Sequence, residues 1–453
     1  MSVNIIHNAA IVPFGGNEVL PDGAVAWDSN NIVAIGTSKD LLQRFPNAEA
    51  IDAGGRMITP GLINLHTHLY STLARGLSPV AQPPSNFPEI LESFWWRWDK
   101  CLDLEAVGLS TQLGLLHSLQ CGVTTVFDHH SSPGAIRGSL EIIAEAFHQI
   151  GLRGSLCYEV SDRGGSEITK QGMQENLSFA DDIATIPDSK LTCHFGLHAN
   201  FTLSEETLQE ASNLISGKDI GIHIHLAEDN SDNRSAASAG YNGPAERLDH
   251  FGLLNDKSLL IHGVHLSRDQ WEILRRRLCH IIHNPASNLN NAVGIAPIGD
   301  MLNDGVSVGL GTDGYGSNML MSANVTQLAA KIDCGDPNQG SWAVPLLTEA
   351  NPQIASTMLN RKIGILQTGA AADFVIWDYS PLTPLNNDNF PAHLIFGLQS
   401  AKSIDIWIDG SKVLENGQSV FLDSKRLSIE VSRKVPELWA RFRESGVRGN
   451  SRC

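Results

Sequence analysis

The chain has 453 residues, of which 42% are hydrophobic and 18% charged, an ordinary composition for a globular protein with a large core. Its 32 Lys and Arg against 49 Asp and Glu give a formal net charge of −17. This balance argues against nucleic acid and anionic membranes as partners, because both require a positively charged surface.

The sequence carries no pattern that predicts export or membrane insertion. No apolar stretch reaches the roughly 18 residues of a membrane span, and the first residues do not resemble a signal peptide. The seven cysteines are scattered and include no Cys-x-x-Cys pair, which is typical of reduced thiols. We therefore expect a cytoplasmic protein.

The first sixty residues predict short β-strands. VNIIHNAAIVPF, GAVAWDSNNIVAIG and AEAIDAGGRMITP are β-rich runs broken by Asn, Asp and Gly. The same texture returns in DFVIWD, SIDIWIDGSKVLENG and SVFLD. We expect residues 1–60 and 365–425 to pair as one small β-sandwich domain.

Between these two pieces, residues 61–364 alternate short apolar strands with helical stretches. This alternation predicts an α/β fold, a TIM (β/α)8 barrel inserted in the β-sandwich. The eight barrel strands are expected at GLINLHTH, VTTVFDHH, RGSLCYEV, LTCHFGLHA, IGIHIHLAE, SLLIHGVHL, CHIIHNPAS and VSVGLGTDG. Residues 426–453, which include VPELWARFRE, are predicted to form a C-terminal packing helix.

His66 and His68 end the first predicted barrel strand. Alternate strand residues share one face, and at the carboxyl end of a barrel strand that face points into the mouth, where barrel enzymes place their sites. Two imidazoles there supply half of a tetrahedral metal site. Alone the pair is a weak signal, since histidines at this spacing are more often surface or hydrogen-bonded residues.

The segment HIHLAED adds a candidate third ligand and a candidate base. His225 ends an apolar strand, and Glu228 follows three residues later. An imidazole can bind metal, and a nearby carboxylate can accept a proton from water. His223 shares the face of His225, and we favour His225 as the ligand because it lies nearer the mouth.

Three further residues end predicted strands. Asp313 stands where VSVGLGTDG meets a glycine turn, so it is either a turn aspartate or a metal ligand that orients water. His262 could hydrogen-bond the attacking water. His198 could bind substrate, or it could be a capping residue. Together with the other histidines, these groups collect at the ends of five predicted strands, which favours a metal site at the barrel mouth.

The substrate contacts are predicted less sharply. Asp162 and Arg163 follow a predicted strand and could pair with a ring N–H and a carbonyl or carboxylate, although a loop salt bridge is an equal alternative. His130 and Ser317 are further candidates. The tryptophans of WWRW either cover the pocket or pack against the barrel.

Several motifs resemble a known family. PGLINLHTHLYSTLARGL, HIHLAED, HNPASNLN and GLGTDGYGSN are similar to the deaminase and chlorohydrolase (ATZ/TRZ-like) branch of the amidohydrolase superfamily. FWWRWDKCLD and VFDHHSSPGAIRGSL resemble its SsnA-type aminohydrolases. The likeness extends over nearly the whole chain.

The resemblance implies a set of roles. One divalent metal, usually zinc with iron as the alternative, would be bound by His66, His68, His225 and Asp313. Glu228 would shuttle protons, His262 would hold the attacking water, and His198 would contact the substrate. Dinuclear relatives carry a carboxylated lysine on the fourth strand, and LTCHFGLHA contains no lysine, so a single metal is expected.

These observations predict a hydrolase that acts on C–N bonds other than peptide bonds. The favoured activity is deamination of a purine-, pterin- or pyrimidine-like heterocycle by a metal-activated water. The alternatives are ring opening of a cyclic amide or amidine, dechlorination at the same site, or a non-catalytic metal-binding scaffold. We expect a small heterocyclic substrate as the partner, and a homo-oligomer.

Overall fold

The computed structural model describes residues 3–78, 83–187 and 189–449. The N-terminal segment contains β1 (Val3–Ile11), β2 (Leu20–Asp28), β3 (Asn31–Thr37), α1 (Ser38–Arg44), β4 (Glu49–Asp52) and β5 (Met57–Pro60). The barrel strands are β6 (Leu62–Thr67), β7 (Val123–His130), β8 (Arg153–Tyr158), β9 (Leu191–Cys193), β10 (Phe195–Ala199), β11 (Ile222–Leu226), β12 (Leu259–His262), β13 (His280–His283) and β14 (Ser307–Leu310).

Helices α2 to α15 lie in the barrel region. They are α2 (Phe87–Ile90), α3 (Trp96–Trp98), α4 (Leu104–Gln120), α5 (Ser139–Ile150), α6 (Ser166–Ile183), α7 (Glu205–Ile215), α8 (Asn230–Ser238), α9 (Pro244–His250), α10 (Arg268–Arg277), α11 (Pro285–Asn290), α12 (Ile298–Asn303), α13 (Met319–Cys334), α14 (Ala343–Pro345) and α15 (Asn351–Met358). The C-terminal segment contains β15 (Phe374–Trp377), α16 (Phe390–Ala392), β16 (Ser403–Ile408), β17 (Ser411–Glu415), β18 (Gln418–Ser419) and α17 (Ser424–Gly449). Tighter or wider helical turns cover Leu69–Ala74, Leu91–Trp95, Asp99–Cys101, Asp162–Gly164, Asn200–Thr202, Leu346–Ala350, His393–Gly397 and Leu398–Ser400.

The parallel strands β6 to β14 form the predicted TIM barrel, which is thereby confirmed. Two sheets, β6-β7-β8-β9 and β10-β11-β12-β13-β14, are joined by bridges between Val160 and Leu197 and between Thr67 and Asp313. At the second joint, the backbone N–H groups of Thr312 and Asp313 donate to the carbonyl oxygen of His66 at 2.9 and 3.0 Å. The ring is therefore closed between the first and the last strand.

A glycine permits this close approach of β14 to β6. A Cβ atom on Gly311 would lie 2.5 Å from Oδ1 of Asn284 and 2.9 Å from the carbonyl oxygen of His66. Any larger residue would push the chain away from β6, so the closure requires glycine at this position.

Two predicted strands differ in detail from the observed ones. LTCHFGLHA is split at His194, because β9 pairs with β8 whereas β10 pairs with β11. SVFLD contributes only its first residue to β18, because the hydroxyl of Ser419 accepts from the backbone N–H groups of Phe421 and Leu422 and turns the chain.

The two β-rich segments join into one nine-stranded sheet, in which β15 pairs antiparallel with β5. Trp27 on β2 contacts Phe374 and Trp407, at ring-centroid distances of 5.1 and 6.1 Å. Those partners lie on β15 and β16, three and four places away in the sheet order. The sheet therefore folds back on itself around a core of its own.

Helix α17 packs across the segment between β6 and α4. Leu438 and Phe442 are fully buried, and Lys434 binds Asp103 at 2.7 Å. The guanidinium of Arg97 donates to the carbonyl oxygen of Phe442 at 2.6 Å. Among the described helices, none combines the length and the apolar character needed to cross a bilayer.

A buried ion-pair cluster connects the barrel to the C-terminal β-strands. Nε of Arg153, on β8, donates to Asp373 at 2.8 Å, and its Nη2 contacts Asp409. All three side chains are largely shielded from water. Removing the guanidinium would leave the Asp373 carboxylate without its cation in a medium that solvates it poorly, whereas Asp409 would keep the more distant Lys190 and Arg361.

Replacing Arg153 by methionine is therefore expected to lower the free energy of unfolding by about 3–5 kcal/mol, as measured by urea denaturation. Arg426→Met is the control, since Arg426 pairs with Glu430 on the exposed side of α17 and should change the midpoint little. Equal destabilisation by the two substitutions would contradict this account of the joint.

Candidate active site

The predicted ligand residues meet at the carboxyl end of the barrel. His66 lies on β6 and His68 directly follows that strand, His225 lies on β11 and Asp313 follows β14, and all four are buried. Nε2 of His68 lies 3.1 Å from Nε2 of His225 and 3.2 Å from Oδ1 of Asp313. Nε2 of His66 is 3.8 Å from the same oxygen. The barrel closure thus brings the His pair of the first strand to the aspartate of the last.

Hydrogen bonds fix the tautomers of these rings. Nδ1 of His68 contacts the carbonyl oxygen of His129 at 2.6 Å, and Nδ1 of His225 contacts that of His198 at 2.8 Å. A carbonyl oxygen can only accept, so both Nδ1 atoms carry the proton. In the neutral rings, the two Nε2 lone pairs then face each other across 3.1 Å.

His66 offers a third nitrogen to the same point. Its Nδ1 lies 2.9 Å from Nε2 of the deeper His223, and its Nε2 is buried with no hydrogen-bond partner among the described residues. Burial lowers the pKa of His66 despite the nearby Asp313 carboxylate. Burial and the neighbouring rings, His129 first, likewise lower the pKa of His225, so both rings are neutral.

These atoms require a cation among them. Burial opposes the charged form of His68, yet its hydrogen bond to the Asp313 carboxylate raises its pKa to about 9, so this position favours positive charge. Ligands of a tetrahedral zinc at about 2.0–2.1 Å would lie about 3.3 Å from one another, close to the observed separations. The cluster of three imidazoles and one carboxylate therefore fits a divalent metal.

The backbone is strained where it presents these groups. Asp313 has φ of 55° and His262 has φ of 78°, values that residues with a side chain rarely adopt. His262 is the last residue of β12, and Asp313 lies three residues after the end of β14. Strain of this kind is typical of functional sites.

A second group of titratable side chains adjoins the ligand cluster. Nε2 of His262 lies 3.4 Å from Oε2 of Glu228 and 3.7 Å from Oδ2 of Asp313. Burial, reinforced by the charge of Asp313, raises the pKa of Glu228 well above its usual range. Burial lowers the pKa of His262. The site therefore combines a carboxyl group that can hold a proton with a neutral imidazole.

Helix α11 and the residue after it orient this second group. Ser287 donates to Oδ2 of Asp313 at 2.5 Å, Oδ1 of Asn288 contacts Nδ1 of His262 at 2.7 Å, and Asn291 donates to Oε1 of Glu228 at 3.3 Å. Sequence reasoning missed the positioning contacts of Asn288 and Asn291. Their signal was helical spacing, because Asn291 lies four residues after Ser287 and three residues after Asn288.

A pocket lined in part by His68, His225 and Asp313 encloses about 860 Å3 of empty space, part of it open to solvent. His198 lines it, with Nδ1 2.8 Å from the hydroxyl of Thr202 and Nε2 3.8 Å from Oε1 of Glu159. The remaining lining is largely aromatic and acidic, and includes Phe87, Leu91, Trp95, Trp96, Phe201, Asp229, Asp232 and Tyr315. Trp95 and Trp96 line the pocket, whereas Trp98 is fully buried in the core, so the tryptophans divide between the two predicted roles.

Four predicted substrate contacts are not among the residues that line this pocket. Arg163 binds Asp99, Ser131 and Glu159, and Asp162 accepts from Ser204, Thr169 and Thr207. His130 is buried with Nε2 2.8 Å from the hydroxyl of Ser132, and Ser317 lies half-buried beyond the Asp313 turn. Their positions near strand ends suggested that they lie close to the site. Hydrogen bonds to nearby polar groups instead keep the side chains of Arg163, Asp162 and His130 out of the pocket lining. Their substrate roles stay predictions.

Comparison with known proteins adds three findings. A model of the amidohydrolase family matches residues 57–413. The chain is 30% identical over 443 residues to a 5-methylthioadenosine/S-adenosylhomocysteine deaminase of Pelotomaculum thermopropionicum, covering 96% of this chain and 98% of the relative. It is also 30% identical over 415 residues to a 5'-deoxyadenosine deaminase of Methanococcus aeolicus, covering 88% and 92%.

Among solved structures, an adenosine deaminase from Xanthomonas campestris with bound zinc superposes with a TM-score of 0.83. It shares 23% sequence identity, and the match covers 96% of this chain and 98% of that one. At this identity the likeness supports the fold of the whole chain, the barrel and the flanking β-strands together.

The ligand cluster predicts that the purified protein contains about one divalent metal per chain, measured by elemental analysis. His68→Ala should lose most of this metal, because it removes a nitrogen at the centre of the cluster. His148→Ala, at an exposed position on α5, is the matched control and should keep it. A folded His68→Ala protein with undiminished metal would exclude His68 as a ligand.

Proposed function

This chain belongs to the amidohydrolase family, and we propose that it is a metal-dependent aminohydrolase that releases ammonia from an adenosine-like heterocycle. The main support is that Glu228 and His262 lie directly beside the ligand cluster, in a pocket whose lining includes several aromatic side chains. Deaminase relatives that match nearly the whole chain support the substrate class.

His66, His68, His225 and Asp313 would hold the metal. When bound, zinc, or iron as the alternative, supplies a Lewis acid that lowers the pKa of water to about 7. The donor set of imidazole nitrogens and one carboxylate suits either metal, and the bound zinc of the Xanthomonas campestris structure favours zinc.

Glu228 is the proton shuttle. It takes a proton from the attacking water and delivers it to the ring nitrogen next to the reacting carbon, since a buried carboxyl with a raised pKa holds a proton readily. Asn291 fixes Oε1 and leaves Oε2 beside His262. Oε1 of Glu228 is therefore held by a hydrogen bond, and Oε2 is the oxygen that exchanges protons with the reactants.

His262 and Asp313 hold the water between them. Asn288 sets the ring of His262 so that Nε2 points at the site, and Ser287 donates to Oδ2 of Asp313. Attack on the amino-bearing carbon forms a C–O bond and a tetrahedral adduct. The hydroxyl proton of this adduct then passes to the amino group, the C–N bond breaks as ammonia leaves, and the oxygen remains on the ring as a carbonyl.

His198 lines the same pocket, with its ring 5.6 Å from that of His225, and contacts the heterocycle there. Burial lowers its pKa to about 4, so it is a neutral hydrogen-bonding group at physiological pH. Glu159, 3.8 Å from its Nε2, is a further acceptor for a ring N–H.

Ammonia release is expected from adenosine, 5'-deoxyadenosine and methylthioadenosine in a screen that also contains aminopyrimidines and pterins. Hydantoins, ureido acids and chlorinated heterocycles form the rival panel. Product that appears only in the rival panel, as a new carboxylate or as chloride, would replace deamination by ring opening or dechlorination.

Glu228→Gln should keep the metal and lose turnover by about 10²–10⁴-fold, because the amide cannot carry the proton. The readouts are metal content and kcat for ammonia release. Glu210→Gln, on the exposed face of α7, serves as the matched control with unchanged kcat. If the metal disappears together with the activity, Glu228 is a ligand and the proposed shuttle is wrong.

A further inference from the structure

Resting on the proposed deaminase activity, we propose that Arg97 is a positioning residue through which the C-terminal helix α17 holds one wall of the pocket in the conformation that binds substrate. Residues 87–96, here called the aromatic wall, contribute four side chains to the described pocket lining: Phe87, Leu91, Trp95 and Trp96. The described lining includes neither Arg97 nor a residue of α17. An effect of Arg97 on substrate binding therefore acts through the wall.

The aromatic wall contains a wide helical turn, Leu91–Trp95, which decides the side chains that face the pocket. The backbone N–H of Trp96 donates to the carbonyl oxygen of Leu91, five residues earlier, whereas an α-helix would use the residue four earlier. The wider turn brings Trp96 back to the side of the helix that Leu91 occupies, and both line the pocket. Turns of this kind are rare and short, so other contacts must support them.

Arg97 supplies such a contact from the side of α17. Its Nη1 donates to the carbonyl oxygen of Ser93, inside the wide turn, at 3.0 Å. Its Nη2 donates to the carbonyl oxygen of Phe442 at 2.6 Å, and its guanidinium carbon lies 4.4 Å from the centroid of the Phe442 ring. Its Nε donates to the hydroxyl of Ser445 at 3.2 Å. One side chain thus joins the wide turn to two residues of α17.

Helix α17 is a firm support because it has further contacts with the rest of the protein. Phe442 is fully buried, and its ring lies edge-to-face with that of Phe94 at a centroid distance of 5.3 Å. The indole N–H of Trp439 donates to the carbonyl oxygen of Leu73 at 3.0 Å. Loss of the Arg97 guanidinium should therefore loosen the wall without releasing the helix.

The residues that follow the wall are fixed independently of Arg97. The indole N–H of Trp98 donates to the carbonyl oxygen of Tyr70 at 3.1 Å, and the buried carboxylate of Asp99 binds Arg163. Removing the Arg97 guanidinium should thus leave the barrel and the ligand cluster in place. A looser wall would have to be ordered when substrate binds, and this loss of preorganisation lowers affinity.

Steady-state kinetics of ammonia release test the proposal, with the adenosine-like nucleoside that the protein converts fastest. Arg97→Met keeps the length of the side chain and removes its donors. We expect KM to rise at least about fivefold, the cost of ordering two large side chains on binding. The value of kcat and the metal content should not change, because only binding is weakened.

Two further variants separate positioning from general stability. Arg97→Lys keeps a positive charge near the Phe442 ring and one donor group, so its KM should lie between those of the unsubstituted protein and Arg97→Met. Arg433→Met is the matched control with unchanged KM, because Arg433 joins α17 to Glu105 on α4 and not to the wall. An unchanged KM in folded Arg97→Met, or a loss of metal and kcat together with the rise in KM, would overturn the proposal.

Backbone hydrogen exchange tests the same wall without any substrate. Arg97→Met should speed the exchange of residues 91–96, and Arg433→Met should not. Exchange that is the same in both variants would overturn the positioning role of Arg97. Faster exchange in Arg97→Met, with no ammonia released from any adenosine-like nucleoside by the unsubstituted protein, would support that role and contradict the proposed deaminase function.

Discussion

The site depends on the closure of the barrel between β6 and β14. The carbonyl oxygen of His66 accepts from the backbone N–H groups of Thr312 and Asp313, and Gly311 permits the close approach. These contacts place the aspartate of the last strand against the histidines of the first, although about 245 residues of the chain separate them. Without this joint, the same side chains would be unrelated surface groups on separate strands.

The ligand cluster of His66, His68, His225 and Asp313 is also chemically suited to a cation. Backbone carbonyl oxygens hold the protons of His68 and His225 on Nδ1, so their Nε2 lone pairs converge and require a cation. Glu228 lies beside this cluster with a pKa raised by burial, and the proposed proton shuttle requires a carboxyl group of this kind next to the metal.

Much of this could be predicted from the sequence, because the carboxyl ends of barrel strands converge whatever the helices between them do. The barrel, the pairing of the two β-rich segments and the assignment as a hydrolase of C–N bonds are confirmed. The direction of Arg163 could not be predicted, because its partner Asp99 lies 64 residues earlier and only the folded chain brings them together. The three-domain division, the homo-oligomer and the cytoplasmic location stay predictions.

The central claim is that His66, His68, His225 and Asp313 enclose one metal. Crystals of the purified protein, measured on both sides of the zinc absorption edge, would locate that metal by anomalous scattering. The account predicts a single strong peak about 2.0–2.2 Å from Nε2 of the three histidines and from a carboxylate oxygen of Asp313. An anomalous peak at another site, or crystals of fully active protein with no peak at any metal edge, would contradict this claim.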